Sequence, residues 1–401
     1  MNNPAARGAG RPAILSAAGR LTCGYYAVMF LSYGTFLPFW PVWLEDWGLS
    51  PEEVGGFMAA SVAARVVAGV VIPIIAEWLD QRRLTLVALY LGGAALFSAC
   101  MFVSSPGTLF VVTVLAAIVF AGTSPISEIL GVAAARENGF AYAHARAMGS
   151  IGFLGSNLVV GGLMASFGSD AALWWIVGSL LLAVPLAMRH PGGGRVGRAN
   201  RAGFGEVRVL MRSRPYWLLA CAVALLQGSH GVFYALGSVH WRDIGLGEVT
   251  IGALWAWGVA AETALMIFAG PWLINRLGPV GAMMLSGAAG VLRWGVMMAD
   301  PEGAALWAAQ GLHALTFAAS HLGLMAFFQH AIPHRLAASA QGFAVQFLGN
   351  LVMAGSMALA GFAYPLMGGG IYGIAALLAG LGGLCALGLW KSWDRGPLLP
   401  A

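Results

Sequence analysis

Five charged side chains stand inside or at the mouth of long apolar runs: Arg65, Glu128, Glu262 and Arg293 lie deep within them, and Arg146 opens another. A charge near the centre of a bilayer costs about 2.5 to 3.5 kcal/mol on insertion scales, so this set marks a polar interior rather than chance. The chemistry such residues offer is a path for a proton, an ion or a polar molecule. Glu128 and Arg146 flank a short turn near 136–140; in an antiparallel hairpin they stand roughly 12 and 9 Å from it, at 1.5 Å per residue, and so can meet. A guanidinium presents a planar donor fork suited to a carboxylate, so the pair reads either as a structural ion pair or as a clamp that opens to a ligand.

A second set follows in the later half of the chain. Glu262 and Arg293 are joined there by His313 and His321. Gln310, His313, Phe317 and His321 fall within about 80° of one another on a helix, a stripe that must face protein or water. Gln227, His230 and Tyr234 form a related set. Alone, each histidine reads as a hydrogen-bonded strut between helices. As a group facing Arg293 and Glu262, they read as a proton-linked network, because imidazole titrates near neutrality and a buried carboxyl can be brought there. Earlier, Tyr33, Phe36, Trp40 and Trp43 recur every three or four residues, interrupted by Pro38 and Pro41. Tyr33 and Phe36 lie deep enough to wall a cavity for a ring, whereas Trp43 and Trp47 sit where interfacial anchors belong.

Other chemistries lack their residues. Lys391 is the sole lysine, so no phosphate-binding G-x-x-x-x-G-K-[ST] loop exists, and Pro191-Gly192-Gly193-Gly194 reads as linker. No H-E-x-x-H, G-x-S-x-G or metal-spaced Cys/His cluster occurs, so no enzyme, cofactor or metal is expected. Cys23, Cys100, Cys221 and Cys385 fall in apolar segments without a C-x-x-C and read as small buried residues.

The elements that must position these side chains are membrane helices. The chain is 59% hydrophobic and 9% charged, against roughly 25% charged in soluble domains. Apolar stretches of about 20 residues can be placed at 22–44, 53–76, 84–104, 108–134, 144–168, 171–189, 215–240, 250–274, 279–299, 303–329, 336–364 and 368–391. With both termini cytoplasmic, the inner segments hold 17 Lys/Arg and the outer ones only Arg242, the expected bias. Residues 1–21 read as a short cytoplasmic segment, and the apolar run after it, too long for a signal-peptide core and without a clear cleavage site, is expected to remain as the first span. The break at 190–214, carrying Arg195, Arg198, Arg201, Arg208, Arg212 and Arg214, separates a six-helix half at 22–189 from another at 215–391, and 392–401 are a tail. A weak repeat agrees: Val62-Ala63-Ala64-Arg65 recurs 197 residues later as Val259-Ala260-Ala261-Glu262, with Gly55 over Gly252. Two halves related by an axis along the membrane normal, with a site between them, is an architecture of the major facilitator type.

Leu273-Ile274-Asn275-Arg276-Leu277-Gly278 resembles that superfamily's L-x-D-R-x-G signature with Asn for Asp; Leu79-Asp80-Gln81-Arg82-Arg83 is a degenerate counterpart. Over nearly its whole length the chain resembles the phenylpropionate/proton symporter group, on Ser32-Tyr33-Gly34-Thr35-Phe36-Leu37-Pro38-Phe39-Trp40, Leu225-Leu226-Gln227-Gly228-Ser229-His230, Val291-Leu292-Arg293-Trp294-Gly295 and the run from His313 to Leu322. Arg65 and Glu262 stand where that group has its span 2 Arg and span 8 Glu. More distantly, the Glu128–Arg146 and Arg293–His313 spacings resemble proton-coupled sugar permeases of the lactose type. In that family the first pair touches substrate, while the Arg and His belong to the substrate and proton network. Thr316 replaces that family's acidic carrier, so Glu262 or His313 takes the role, or transport is uncoupled.

The resulting expectation is an all-α, twelve-helix secondary transporter in a bacterial-type inner membrane, importing a small aromatic carboxylate with protons as a functional monomer, without nucleic acid. Substrate contacts fall to Glu128, Arg146, Tyr33, Phe36, Gln227, His230 and Tyr234, and proton coupling to Glu262, Arg293, His313 and His321; Arg65 is a further intramembrane charge without a role. A sugar or nucleoside symporter, an efflux pump, and a non-transporting sensor are the alternatives.

Overall fold

The computed structural model describes residues 13–79, 81–192 and 208–399. Residues 1–12, Asp80, the linker arginines 195, 198 and 201, and residues 400–401 lie outside them. The described residues form helices and no strands. In the first half these are α1 (Ala17–Asp46), α2 (Pro51–Trp78), α3 (Arg82–Cys100), α4 (Pro106–Asn138), α5 (Tyr142–Phe167) and α6 (Asp170–Met188). In the second they are α7 (Arg214–Gly228 and His230–Asp243, joined at Ser229), α8 (248–277), α9 (279–297), α10 (Gly303–Ala331), α11 (334–367) and α12 (Tyr372–Ser392).

Among the described residues, ten stretches are long and apolar enough to cross a membrane, two of which run for 50 and 58 residues. At 1.5 Å per residue, 50 residues span about 75 Å, more than twice the hydrocarbon core. Backbone breaks divide both. Gly278 (φ 68°, ψ 173°), the last residue of the L-x-D-R-x-G-like run, separates α8 from α9, and Gly368 (φ 50°) separates α11 from α12. Both conformations favour a residue without Cβ. Pro38 and Pro41, by contrast, leave α1 continuous through Asp46, as membrane helices tolerate where neighbours accept the freed carbonyls.

Helix packing repeats between the halves. α1 packs on α5 and α6, α2 on α4, and α3 on α4 and α6; α7 packs likewise on α11 and α12, α8 on α10, and α9 on α10 and α12. The halves meet through α2 against α11 and α5 against α8, which are equivalent crossings under the same pairing. Small residues allow both approaches. A Cβ on Gly55 would fall 2.7 Å from the Gly361 Cα, and Gly252 lies against the Asn157 carbonyl of α5. The Gly55/Gly252 repeat thus has a physical cause, since each is the contact point of one inter-half crossing.

Both crossings lie toward one end of the bundle, where Arg242 at the end of α7 binds Asp46 (2.9 Å) and Glu45 (3.5 Å) at the end of α1 and Glu248 (3.5 Å) at the start of α8. Beside it, Tyr364 donates to Asp243 (2.5 Å), and His240 joins Asp300 (2.7 Å) and Tyr364 (3.0 Å). This end is closed. Replacing Gly55 with leucine should wedge the α2–α11 crossing and favour opening there. Pulsed EPR between spin labels at the Arg242 ends of α2 and α11 should then gain a longer-distance population; an unchanged distribution would show that the crossing does not hold the gate.

Candidate functional site

α4 is capped at its start by Ser105, whose side chain accepts from the Thr108 N–H, and at its end by Gly139 in the left-handed region (φ 70°). The tight return into α5 places Glu128 opposite the first turns of that helix. Arg146 Nε donates to Glu128 Oε1 at 3.1 Å, as the hairpin spacing allows, and Tyr142 donates to the other oxygen, Oε2. Tyr142 is a partner the sequence reading missed. The available signal was its place four residues before Arg146, which puts both on one helix face. The Arg146 guanidinium also lies 4.2 Å over the Phe30 ring of α1. Arg146 and Glu128 remain 37% and 38% exposed, so the interior is reached from the end opposite Arg242.

The pair divides two lobes. One, about 400 Å³, is lined by Tyr33 (α1), Arg65 (α2), Ser124, Pro125 and Glu128 (α4), and Gln346 and Asn350 (α11). Pro125 has no N–H to give the carbonyl of Ala121, and both border this lobe. The other lobe, about 230 Å³, is lined by Phe30, Leu37, Arg146, Ser150, Phe153, Tyr234, Trp255, Val259, Glu262, His313 and Phe317. A larger recess of about 560 Å³ lies beside Gly278 with Arg276, His330, Trp393 and Arg395, away from every mid-span charge.

Behind the second lobe, Arg293 is fully buried. Its Nη2 donates to Gln310 Oε1 (2.7 Å), and its Nη1 to His313 Nδ1 (3.0 Å) and Thr316 Oγ1 (3.1 Å). Donor and acceptor roles then propagate, because a guanidinium only donates. His313 Nδ1 must be a lone pair, so its proton sits on Nε2 and is given to Glu262 Oε2 at 3.1 Å. His230 gives its Nδ1 proton to the Leu226 carbonyl (3.1 Å) and therefore accepts from Thr316 at Nε2 (3.1 Å). These hydrogen positions are assigned from partner roles. α8 and α10 carry π turns at Leu265–Ala269 and Ala314–Ala318, within the turn that follows Glu262 and His313. A π turn adds a residue to the local repeat, which the regular 3.6-residue stripe did not anticipate.

The remaining expected residues separate into cavity and core. Tyr234 lines the aromatic lobe and stacks on Trp255 at 5.8 Å. Tyr33 lines the other, its hydroxyl donating to the Phe120 carbonyl at 3.2 Å. Phe36 is not a wall residue: it is 2% exposed and packs among Trp40, Phe97 and Phe120. His230 is fully buried between α7 and α10, and half-buried Gln227 donates from Nε2 to Ser320 Oγ at 2.7 Å, so neither lines either lobe. His321 stacks on Phe317 at 6.4 Å and is exposed, without a bond to Glu262. Trp43 is 3% exposed, stacks on Trp40 and donates to Asp170 at 2.9 Å, which makes it core and not an interfacial anchor. Among the described residues no three His, Cys, Asp or Glu side chains gather as a metal site would require.

The family model described as "MFS_1 like family" matches residues 21–370. A probable 3-phenylpropionic acid transporter of Escherichia coli (strain K12) is 29% identical over 380 residues, covering 91% of this chain and 96% of that protein. A maltose permease of Geobacillus stearothermophilus is 30% identical over 294 residues, 71% of each. Among solved structures, a point mutant of the nucleoside transporter NupG superimposes with a TM-score of 0.83 at 15% identity, covering 94% of this chain and all of that one. A bacterial homologue of the iron transporter ferroportin in its inward-facing state gives 0.72 at 15% identity, covering 93% and 99%. At such identities these likenesses concern the fold.

The two bonded arginines should respond differently to neutralisation. Arg293→Gln strands the Gln310 and His313 acceptors in a dry site and should cost about 3 kcal/mol of stability. Arg146→Gln, at a half-exposed position, should cost less than about 1 kcal/mol. Thermal unfolding of the purified proteins in one detergent checks this; equal losses would mean that burial does not distinguish them.

Proposed function

The chain belongs to the MFS_1 like family and is a multi-pass membrane transporter, and from that premise we propose that it takes up a small aromatic carboxylate such as 3-phenylpropionate together with a proton, by alternating access. The observation that carries this reading is the lining of the smaller lobe. Phe30, Phe153, Tyr234, Trp255 and Phe317 surround it, with a guanidinium, Arg146, on α5 and the Glu262–His313 pair on α8 and α10. Rings suit an aromatic body, a cation suits a carboxylate, and a carboxylate bonded to imidazole suits proton exchange. The phenylpropionic acid transporter relative supports the same substrate class. The maltose permease relative favours a sugar instead. The lobe offers only the hydroxyls of Ser150 and Tyr234 as neutral hydrogen-bonding side chains, however, and a sugar needs several.

Glu262 is the proton carrier in this reading. Arg293 occupies His313 Nδ1, so an arriving proton has the carboxylate as its open acceptor. Once protonated, Glu262 no longer attracts the Nε2–H of His313, and the link between α8 and α10 weakens. Because α8 packs on α5 of the other half, the change reaches the inter-half crossing. The Glu128–Arg146–Tyr142 unit shapes the substrate end of the cavity, and the open end faces the cytoplasm with both termini.

In proteoliposomes, labelled 3-phenylpropionate should accumulate under an inward proton gradient, with maltose and a nucleoside run in parallel. Glu262→Gln should exchange the acid across the membrane but lose uphill accumulation. Accumulation of either neutral solute without the acid would overturn the substrate, and concentrative uptake by Glu262→Gln would move the proton site elsewhere.

A further inference from the structure

Arg65 is the mid-span charge that the preceding mechanism leaves without a task. It lines the 400 Å³ lobe from α2, with its guanidinium carbon 5.8 Å from the Phe36 ring centroid. Among the described residues no hydrogen bond or ion pair reaches it. The other two intramembrane arginines differ in this respect, since Arg146 is joined to Glu128 and Arg293 gives its Nη donors to Gln310, His313 and Thr316. Glu128 is the carboxylate bordering the same lobe, and its two oxygens are directed to Tyr142 and Arg146 and not to Arg65. Water can solvate Arg65 while the lobe is open. Alternating access requires a state in which the lobe is shut from both sides, and a desolvated guanidinium without an acceptor is costly there.

Two further observations give the position a role. Arg65 is the repeat partner of Glu262, 197 residues apart in the matching segments Val62–Arg65 and Val259–Glu262. Each half therefore directs one ionisable side chain of opposite sign from the equivalent helix into a lobe of the cavity. Facing Arg65 across its lobe are Gln346 and Asn350 on α11, the helix of the other half that closes on α2. An anion on Arg65 would thus lie between the two halves, within reach of neutral amides on the moving partner.

The geometry points to Arg65 as the residue that holds the carboxylate of the transported acid. This rests on the aromatic-acid reading above. It assigns the carboxylate to the unpartnered cation, so the Glu128–Arg146 pair need not open. Anion binding between α2 and α11 then favours closure, because the ligand gains contacts from the second half only as the lobe shuts.

Calorimetric titration of the purified protein with 3-phenylpropionate and with 3-phenylpropan-1-ol, its neutral counterpart on the same skeleton, separates the possibilities. Arg65→Gln should weaken binding of the acid by about 30-fold or more while changing the alcohol by less than about threefold, and Arg65→Lys should restore part of the loss. Acid binding by Arg65→Gln within about threefold of wild type would overturn the assignment and return the carboxylate to Arg146. Failure of the wild-type protein to bind the acid at all would instead defeat the aromatic-acid reading, and this inference with it. Should the variants not fold, phenylglyoxal labelling of wild-type Arg65 read by mass spectrometry serves in their place. Protection by the acid but not by the alcohol is the expected result, and equal labelling with and without the acid would overturn it.

Discussion

The buried guanidinium of Arg293 sets the terms for the chemistry around it. A charge with no exposed surface survives only if acceptors surround it, and here three side chains of α10 supply them: Gln310, His313 and Thr316. Because Arg293 cannot accept a hydrogen bond, each of these contacts has a fixed direction, and the directions continue outward. His313 turns its remaining N–H toward Glu262 on α8, while the Leu226 carbonyl takes the Nδ1 proton of His230 on α7, so that Thr316 donates to its Nε2. One cation thereby orders donors and acceptors over α8, α9 and α10. The same contacts hold His230 and Arg293 in buried hydrogen bonds and leave Glu262 at the lobe's edge.

The first half is built on the opposite principle. Its charged pair, Glu128 and Arg146, is partly open to solvent, and its remaining cation, Arg65, has no counter-charge among the described residues. The pseudo-symmetric framework brings these two chemistries face to face across the cavity. One half presents a carboxylate bonded to imidazole, Glu262 with His313, and the other a guanidinium, Arg65, without a counter-charge among the described residues. Glycines at the equivalent crossings, Gly55 and Gly252, let the halves approach closely enough at one end to shut it, with Arg242 bound to Glu45 and Asp46 across the seam.

Much of this was legible in the sequence because membrane insertion makes charge expensive. The mid-span ionisable residues stood out by cost alone, and helical spacing was enough to bring Glu128 to Arg146 and His313 to Gln310. Side-chain commitments were harder to read. Phe36 and His230 lie on faces shared with Tyr33 and Tyr234, yet both are buried by neighbouring helices, and only three-dimensional packing separates a wall from a core. Tyr142, being uncharged, carries no insertion cost to single it out. The π turns that follow Glu262 and His313 come from no local signal, and they alter the register of the very stripe that spacing predicted. That no counter-charge reaches Arg65 among the described residues is a property of three-dimensional placement, which no one-dimensional pattern contains.

The most direct test of Arg293's ordering role is the protonation of His313, read beside His230, whose Nδ1 proton goes to the Leu226 carbonyl. Nitrogen-15 NMR of histidine-labelled protein in lipid bilayers near neutral pH, assigned by difference against His313→Asn and His230→Asn, reads each ring nitrogen separately. His313 should carry its proton on Nε2 with Nδ1 bare, and His230 should show the reverse. A doubly protonated His313, or the same tautomer at both positions, would contradict the account.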